Sequence, residues 1–329
     1  MFFIKKKLLF SMLDNKTILV TGGTGSFGEN FVEGILKIYK PKKIIVFSRD
    51  EYKQFLLQEK LSSHPKKKSI RFLIGDIRDS DRLDMAFRGV DYVVHAAAMK
   101  QIPTTEKEPL ECIKTNIYGA TNVIRSALKN KVKKVIALST DKAVNPINLY
   151  GATKLAADKL FVSANNYSGN IKTIFSVVRY GNVIGSRGSV IPFFKKLKNE
   201  NKKYLPITHP DMTRFFISIE DAVNFVLKSF KIMKGREIFI PILPSIKIID
   251  LARAVNPKAN LKIVGIRAGE KIHESLFSKE ESRLVQRING IYVLYPEDLK
   301  HKKSPINMEY NSGTNKNFLE YKDILKIIK

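Results

Sequence analysis

The sequence predicts an α/β fold, a doubly wound parallel sheet followed by a smaller C-terminal lobe. Three features of the 329 residues carry that reading. Short runs rich in valine and isoleucine recur at 17–20, 43–47, 70–74, 92–95, 134–138 and 173–178, with the length and composition of buried strands. Helical patterns fall between them, at 27–39, 51–61, 80–87, 110–129 and 150–163. A glycine-rich turn, Thr21-Gly22-Gly23-Thr24-Gly25-Ser26-Phe27-Gly28, joins the first strand to the first helix.

Strand–helix alternation at this spacing makes a parallel sheet. Right-handed crossovers then align the carboxyl ends of the strands along one edge, where ligands bind. Beyond residue 180 the alternation breaks up. A loop at 185–188 leads to a helix near 191–199, a turn at 206–210, a strand at 215–217 and a helix at 220–230 capped by Ser218. Pro241 and Pro244 interrupt the next segment. The expected division is an extension at 1–13 and a Rossmann-type dinucleotide-binding domain at 14–183, with return segments near 215–245. The substrate-binding lobe takes 184–214 and 246–329.

Composition narrows the class. The single cysteine, Cys112, excludes a disulfide framework and a multi-cysteine metal site, and no metal centre is expected. No run of about 18 apolar residues occurs, so no membrane span is expected and a cytoplasmic setting fits. Net charge is +27, the one argument for a nucleic-acid partner. The lysines are spread over loops and helix ends, as at Lys66 to Lys68 and Lys195-Lys196, with no aromatic interleaving. No specific nucleic acid is expected, only weak salt-sensitive contact with polyanions. Met1 to Phe10 mixes lysines with apolar residues but lacks the length and cleavage site of a signal peptide, and it reads as a frayed extension.

The glycine turn suits a dinucleotide. Gly22, Gly25 and Gly28 let the backbone approach a pyrophosphate beside Thr24, and the helix opening at Ser26 and Phe27 faces the negative charge. The second strand ends at Ser48-Arg49, where an NAD site would place an acid for the ribose hydroxyls. A serine and an arginine suit a 2′-phosphate, so NADP is favoured over NAD. Asp76-Ile77, after the third strand, is expected at the adenine, and Ala96, Ala97 and Ala98, after the fourth, leave room for the cofactor. His95 reads as a satisfied core histidine.

Two features coincide after the fifth strand. Ser139-Thr140-Asp141-Lys142 ends it, and Tyr150-Gly151-Ala152-Thr153-Lys154 opens the next helix. Helix positions four apart share a face, so Lys154 is expected to hold the nicotinamide ribose and lower the pKa of Tyr150. Tyr150 would then take a hydroxyl proton while hydride leaves the same carbon.

These segments carry a resemblance. The chain resembles the extended short-chain dehydrogenases/reductases and, within them, the inverting UDP-N-acetylglucosamine 4,6-dehydratases that begin pseudaminic acid synthesis. The likeness runs from the glycine turn through Pro109 to Asn116, Ser139 to Lys154, Phe175 to Arg187, Met212 to Phe215 and Gly265 to Lys271. It implies a hydro-lyase that oxidises C4, eliminates water across C5 and C6 and returns hydride to C6. It assigns Asp141 as the acid for the leaving hydroxyl, Lys142 as the C5 base and Thr140 as a partner of the 4-hydroxyl. Retaining relatives carry Asp-Glu where this chain has Asp141-Lys142, so the lysine is expected to accompany inversion at C5.

A UDP-sugar brings two phosphates, for which Arg187, Arg214 and Arg267 are candidates because arginine forks match phosphate oxygens. Asn182 is expected at the diphosphate or sugar, Glu270 at a ribose hydroxyl and Lys100 at the sugar or cofactor. Gln101 and Ala268 depart from the usual histidine and proline of the pattern. The resemblance also implies a homo-oligomer, with a hexamer among the forms to consider. Two rival readings stay open: a nucleotide-sugar 4-epimerase, which has no use for Asp141-Lys142, and a non-catalytic protein that binds NADP or polyanions. A capsule-pathway dehydratase that also epimerises C5 is closer still.

Overall fold

The structure, a computed structural model, describes residues 11–297 and 304–328. Sixteen strands are defined among them. Six follow the expected alternation: β1 (Thr17–Thr21), β2 (Lys43–Ser48), β3 (Ile70–Ile74), β4 (Tyr92–His95), β5 (Lys134–Thr140) and β6 (Ile174–Tyr180). The others are β7 (Asn182–Val183), β8 (Tyr204–Ile207), β9 (Thr213–Ile217), β10 (Ile238–Pro241), β11 (Ser245–Lys247), β12 (Asn260–Ile263), β13 (Ser275–Phe277), β14 (Val285–Ile288), β15 (Ile291–Leu294) and β16 (Tyr310–Asn311).

The main sheet runs in the order β14-β15-β10-β6-β5-β4-β1-β2-β3. It is parallel from β3 to β10 and ends in the antiparallel pair β15 and β14. Helices cover both faces of its centre, so β1 and β4 are buried at every residue while the edge strand β3 is half open. The doubly wound α/β architecture is therefore the one the alternation predicts.

Several boundaries differ from the expectation. Residues 1–10 of the expected extension lie outside the described residues, as do 298–303, but Leu13 is fully buried in the main core. The helix expected over 110–129 is a short helix, Pro109–Ile113, then a π turn, Lys114–Tyr118, then a helix, Gly119–Lys129. The last approaches the loop after β3 closely, since a Cβ on Gly119 would lie 2.6 Å from the Ile77 side chain. The turn expected at 206–210 starts later, because β8 runs through Pro206 to Ile207 and pairs in parallel with β12. A two-stranded sheet leaves one side of each strand unpaired, where a missing N–H is tolerated.

Within 215–245, the helix Ile219–Ile232 packs against the helix Ser26–Ile38, and β10 joins the main sheet, whereas β9 pairs with β7 and β11 in a separate sheet. The hairpin β14–β15 falls in the stretch expected to form the lobe, yet it extends the main sheet. Its β15 residues pair with β10 and bury Ile291, Val293 and Leu294 in the main core. A second core gathers Phe194, Leu205, Ile207, Phe216, Leu251 and Ile324.

Two buried polar features mark the carboxyl ends of the central strands. Arg179 on β6 is 1% exposed, with Nη2 3.3 Å from Asp158 and Nη1 3.1 Å from Glu281. His95 on β4 is 2% exposed, and its Nδ1 meets the Thr21 hydroxyl at 2.8 Å, so it is the core histidine expected from the sequence. Burial, with Lys154 nearby, pushes the His95 imidazole down to about 3. The fold thus holds a neutral ring that the unfolded chain would protonate below its ordinary value near 6.5. Its contribution is complete above that pH and is lost as pH falls toward about 3. Wild-type stability should fall by about 1.4 kcal/mol per pH unit in this window from this group alone. His95→Gln should be less stable at neutral pH but lack that part of the slope, which urea unfolding at several pH values will measure.

Candidate active site

The glycine turn is built from close contacts that exclude side chains. Gly22 has φ +65°, and a Cβ there would lie 2.8 Å from the Ala97 backbone nitrogen. A Cβ on Gly28 would lie 2.5 Å from the Gly22 carbonyl oxygen, so the helix Ser26–Ile38 starts directly on the loop. Gly25 caps that helix without any side-chain bond, leaving its first N–H groups for an anion. Thr24 and Ser48 share a hydroxyl hydrogen bond of 2.7 Å, which ties the turn to the end of β2. Phe27 stacks on Phe31 and packs against the core, so only its backbone faces the loop.

The expected adenosine end is more polar than its motifs suggested. The Arg49 side chain is 61% exposed and reaches Asp76 at 3.6 Å. Asp76 also accepts from Arg78, at 3.0 Å from Nε and 2.7 Å from Nη2. Burial pushes the Asp76 carboxyl up, but Arg78 and Arg49 outweigh it and hold it below the usual range. Ile77 turns its side chain into the core, and its carbonyl accepts from Asn122. Ala96 and Ala97 follow β4 against Thr21, and Ala98 is exposed beside them.

The catalytic candidates meet at the end of β5. Thr140 Oγ1 caps the single turn Asp141–Ala143 by accepting from the Lys142 N–H at 3.3 Å. It also donates to Asp141 Oδ1 at 3.0 Å. Asn148 caps the helix Leu149–Ser163 by accepting from the Gly151 N–H at 2.8 Å. That helix starts hard against the turn, and a Cβ on Gly151 would overlap the Lys142 carbonyl oxygen. Glycine at this position brings Tyr150 beside Thr140, whose side chain acts on the phenol.

Asp141 is fully buried. Its Oδ1 receives Thr140 and, at 2.9 Å, Lys142 Nζ, while its buried Oδ2 has no hydrogen-bond partner. Lys142 Nζ also stands 3.4 Å from Glu274 Oε1 and 3.5 Å from Asn182 Oδ1. Burial pushes the Lys142 ammonium down, but Asp141 and Glu274 outweigh it and hold it above its ordinary value.

One expectation is corrected here. Tyr150 does not have a lowered pKa: burial, with Asp141 and Asp158, outweighs Lys142 and Thr140 and leaves the phenol raised to about 12. Lys154 Nζ donates to the Leu138 carbonyl at 2.6 Å and has Asp158 as its compensating charge.

The substrate candidates scatter more. Asn182 Oδ1 lies 3.5 Å from Lys142 Nζ. Arg187 crosses to the glycine turn, donating from its backbone N–H to Ser26 Oγ at 3.1 Å and from Nη2 to the Thr24 carbonyl at 2.5 Å. Lys100 is exposed, and its Nζ lies 3.5 Å from the Arg187 carbonyl. Arg214 is 6% exposed and spends its donors on the carbonyls of Thr213, Lys271 and Ile272. Arg267 is exposed and 3.7 Å from Glu270, whose Oε2 is buried without a hydrogen-bond partner.

Glu274, Asp158 and Asn116 were not singled out from the sequence. Asp158 lies four positions after Lys154 on the same helix, a spacing that signals a shared face. Asn116 is 2% exposed in the π turn, where it binds both backbone groups of Met99 and the Thr153 hydroxyl. Among the described residues no group of three or more His, Cys, Asp or Glu stands ready to hold a metal, and no helix is long and apolar enough to cross a membrane.

This arrangement can be set beside known proteins. A UDP-N-acetylglucosamine 4,6-dehydratase (inverting) of Campylobacter jejuni subsp. jejuni serotype O:23/36 is 52% identical over 96% of this chain and 98% of its own. A UDP-glucose 4-epimerase of Rickettsia bellii is 47% identical over 85% of this chain and 83% of its own. The X-ray structure of Pen from Bacillus thuringiensis superposes with a TM-score of 0.90 at 37% identity, covering 96% of this chain and 98% of that one. The family model for polysaccharide biosynthesis proteins matches residues 18–296, and the chain belongs to that family.

Proposed function

We propose that this chain is a UDP-N-acetylglucosamine 4,6-dehydratase, a hydro-lyase that inverts C5. One observation carries the reading. Asp141, fully buried, and Lys142, partly buried, form an acid–ammonium pair beside Thr140 and Tyr150, at the sheet edge where the glycine turn opens. The 52% identity to the inverting dehydratase of Campylobacter jejuni over nearly the whole length supports it.

A bound nicotinamide dinucleotide would accept hydride from C4 and return it to C6. Tyr150, with Thr140, would take the C4 hydroxyl proton. Asp141 Oδ2 has no hydrogen-bond partner and so has room for the proton that the departing C6 hydroxyl needs. Transfer of the extra proton of Lys142 to Asp141, 2.9 Å away, would leave a neutral amine to remove the C5 hydrogen and a carboxylic acid to protonate the departing C6 hydroxyl, so that water leaves across C5 and C6. C5 then regains a proton on the opposite face. A 4-epimerase, the activity named for the Rickettsia bellii relative, needs no group at C5 or C6 and would leave this pair without work.

Arg187 suits the cofactor side of the cleft, because it lies on the glycine turn. Arg267 and Glu270 suit the nucleotide end of the substrate, since the guanidinium is open and one carboxylate oxygen lacks a hydrogen-bond partner. NADP is the preferred cofactor on the strength of the exposed Arg49 guanidinium, and a homo-oligomer is the proposed assembly.

Incubation with UDP-N-acetylglucosamine in deuterated water, followed by proton NMR, tests the reading. It predicts a new C6 methyl, deuterium at C5 and no net change in nicotinamide absorbance. A product with the C6 hydroxyl intact and C4 inverted would make the chain an epimerase. Asp141→Asn and Lys142→Met should each lower kcat by about a hundredfold or more while leaving nucleotide binding in place. Arg49→Ala should cut the preference for NADP over NAD by about tenfold, measured as relative Kd by fluorescence titration of the two cofactors. An unchanged ratio would remove Arg49 from the cofactor site.

A further inference from the structure

Glu274 is a buried acid that the dehydratase scheme above does not use. It is 2% exposed, at the start of the segment that leads into β13. Its backbone is pinned on both sides: its N–H donates to Ser312 Oγ at 3.0 Å, and its carbonyl accepts from the Ser312 N–H at 2.8 Å. With the backbone fixed, the side chain points at two cations. Oε1 lies 3.4 Å from Lys142 Nζ and Oε2 3.8 Å from Lys271 Nζ. Oε2 is buried with no hydrogen-bond partner. Burying a carboxylate in this state is costly unless its charge does work on a neighbour.

We propose that Glu274 is a positioning residue for Lys142, a second carboxylate that with Asp141 fixes where the ammonium stands and how readily it gives up its proton. This rests on the reading of Lys142 as the C5 base. A lysine side chain has four rotatable carbons, and one ion pair leaves its nitrogen free to swing. Asp141 holds Nζ from its own turn, Glu274 from the C-terminal segment and Asn182 from β7. The three oxygens approach from three different elements, so they define one position.

The other charges facing this nitrogen are Arg214 from β9, Lys271 from the segment before Glu274, Lys100 after β4, and the Tyr150 hydroxyl. Arg214 opposes the ammonium, and the two carboxylates outweigh it. Removing the Glu274 charge therefore lowers the affinity of Lys142 for its proton. Because a base must be neutral, the ascending limb of the pH–rate profile would move to lower pH. The plateau above it would fall, because the nitrogen is less well held.

The test uses the full chain with its bound nucleotide and UDP-N-acetylglucosamine. In Glu274→Gln, plateau kcat should fall about tenfold or more with KM within about twofold, and the ascending limb should move down by about one pH unit. Glu274→Asp keeps the charge but withdraws it by one methylene, and should recover part of kcat with the limb near its wild-type place. Wild-type kcat and an unmoved limb in Glu274→Gln would overturn the proposal. If that variant does not fold, Glu274→Asp decides, since wild-type kcat there would show that the carboxylate's reach is immaterial. A second readout needs no turnover: the titration of Lys142 in protein carrying [13C-ε]lysine, assigned with Lys142→Met. A lower Lys142 pKa in Glu274→Gln supports the proposal, and an identical one overturns it. Lack of dehydration by the wild type would overturn the function reading alone.

Discussion

The site depends on one steric constraint, the seating of the helix Leu149–Ser163 on the carbonyl of Lys142. No side chain fits at Gly151, so the helix can descend until its first turn touches the turn that ends β5. Thr140, Asp141 and Lys142 are placed by the strand, and Tyr150 and Lys154 by the helix. Their proximity follows from that single contact. Asn148 secures it twice, capping the helix with Oδ1 and donating from Nδ2 to the Gly269 carbonyl at 2.8 Å. The turn is closed in its own right by Thr140, whose hydroxyl accepts from the Lys142 N–H and donates to Asp141.

Around that contact buried and partly buried charges alternate in sign. On the helix side, Lys154, Asp158, Arg179 and Glu281 form one series. On the lobe side, Asp141, Lys142, Glu274 and Lys271 form another. A buried ion pair adds little net stability against an apolar replacement, whereas removing one member leaves its partner uncompensated. Two such series flanking a phenol are better understood as fixing protonation states and positions than as holding the fold, which the apolar cores already do. Burial, with Asp141 and Asp158, outweighs Lys142 and leaves Tyr150 raised to about 12, so the phenol needs more positive charge nearby to act as a base. Lys142 is the one whose charge acts on it in this structure.

What was legible in the sequence was whatever repeats along the chain. The alternation of apolar runs and helical patterns located β1 to β6, because strands buried on both faces need uninterrupted Val and Ile. The glycine turn and the Tyr150–Lys154 spacing were legible because each is local. Long-range pairing was not. Nothing in residues 285–294 says that they will join β10 rather than the lobe, since a short apolar strand fits either partner. The internal partners of Arg214 were hidden for a related reason. Arg214 is chemically able to bind phosphate, but the chain supplies three carbonyls within its reach first. Glu274 carries no local signal, because its meaning lies in Lys142, far away in sequence.

That distance bears on how the two parts of the molecule share the chemistry. Segment 269–274 meets the turn after β5 and the residues flanking it through three contacts, Gly269 with Asn148, Lys271 with Val144 and Glu274 with Lys142, while Arg214 on β9 holds the carbonyls of 271 and 272. Lys271 Nζ donates to the Val144 carbonyl at 2.6 Å, just past the turn. The same segment carries Arg267 and Glu270, the residues best suited to a nucleotide. A ligand that pulls on Arg267 therefore pulls on a segment whose other end holds the lysine. Binding energy gathered far from C5 then has a short covalent route, seven residues long, to the group that acts there. A division into a cofactor domain and a substrate lobe describes the two cores, but on the proposed function it does not divide the catalytic work, because the Lys142 ammonium, in the turn after β5, is held in part from the lobe.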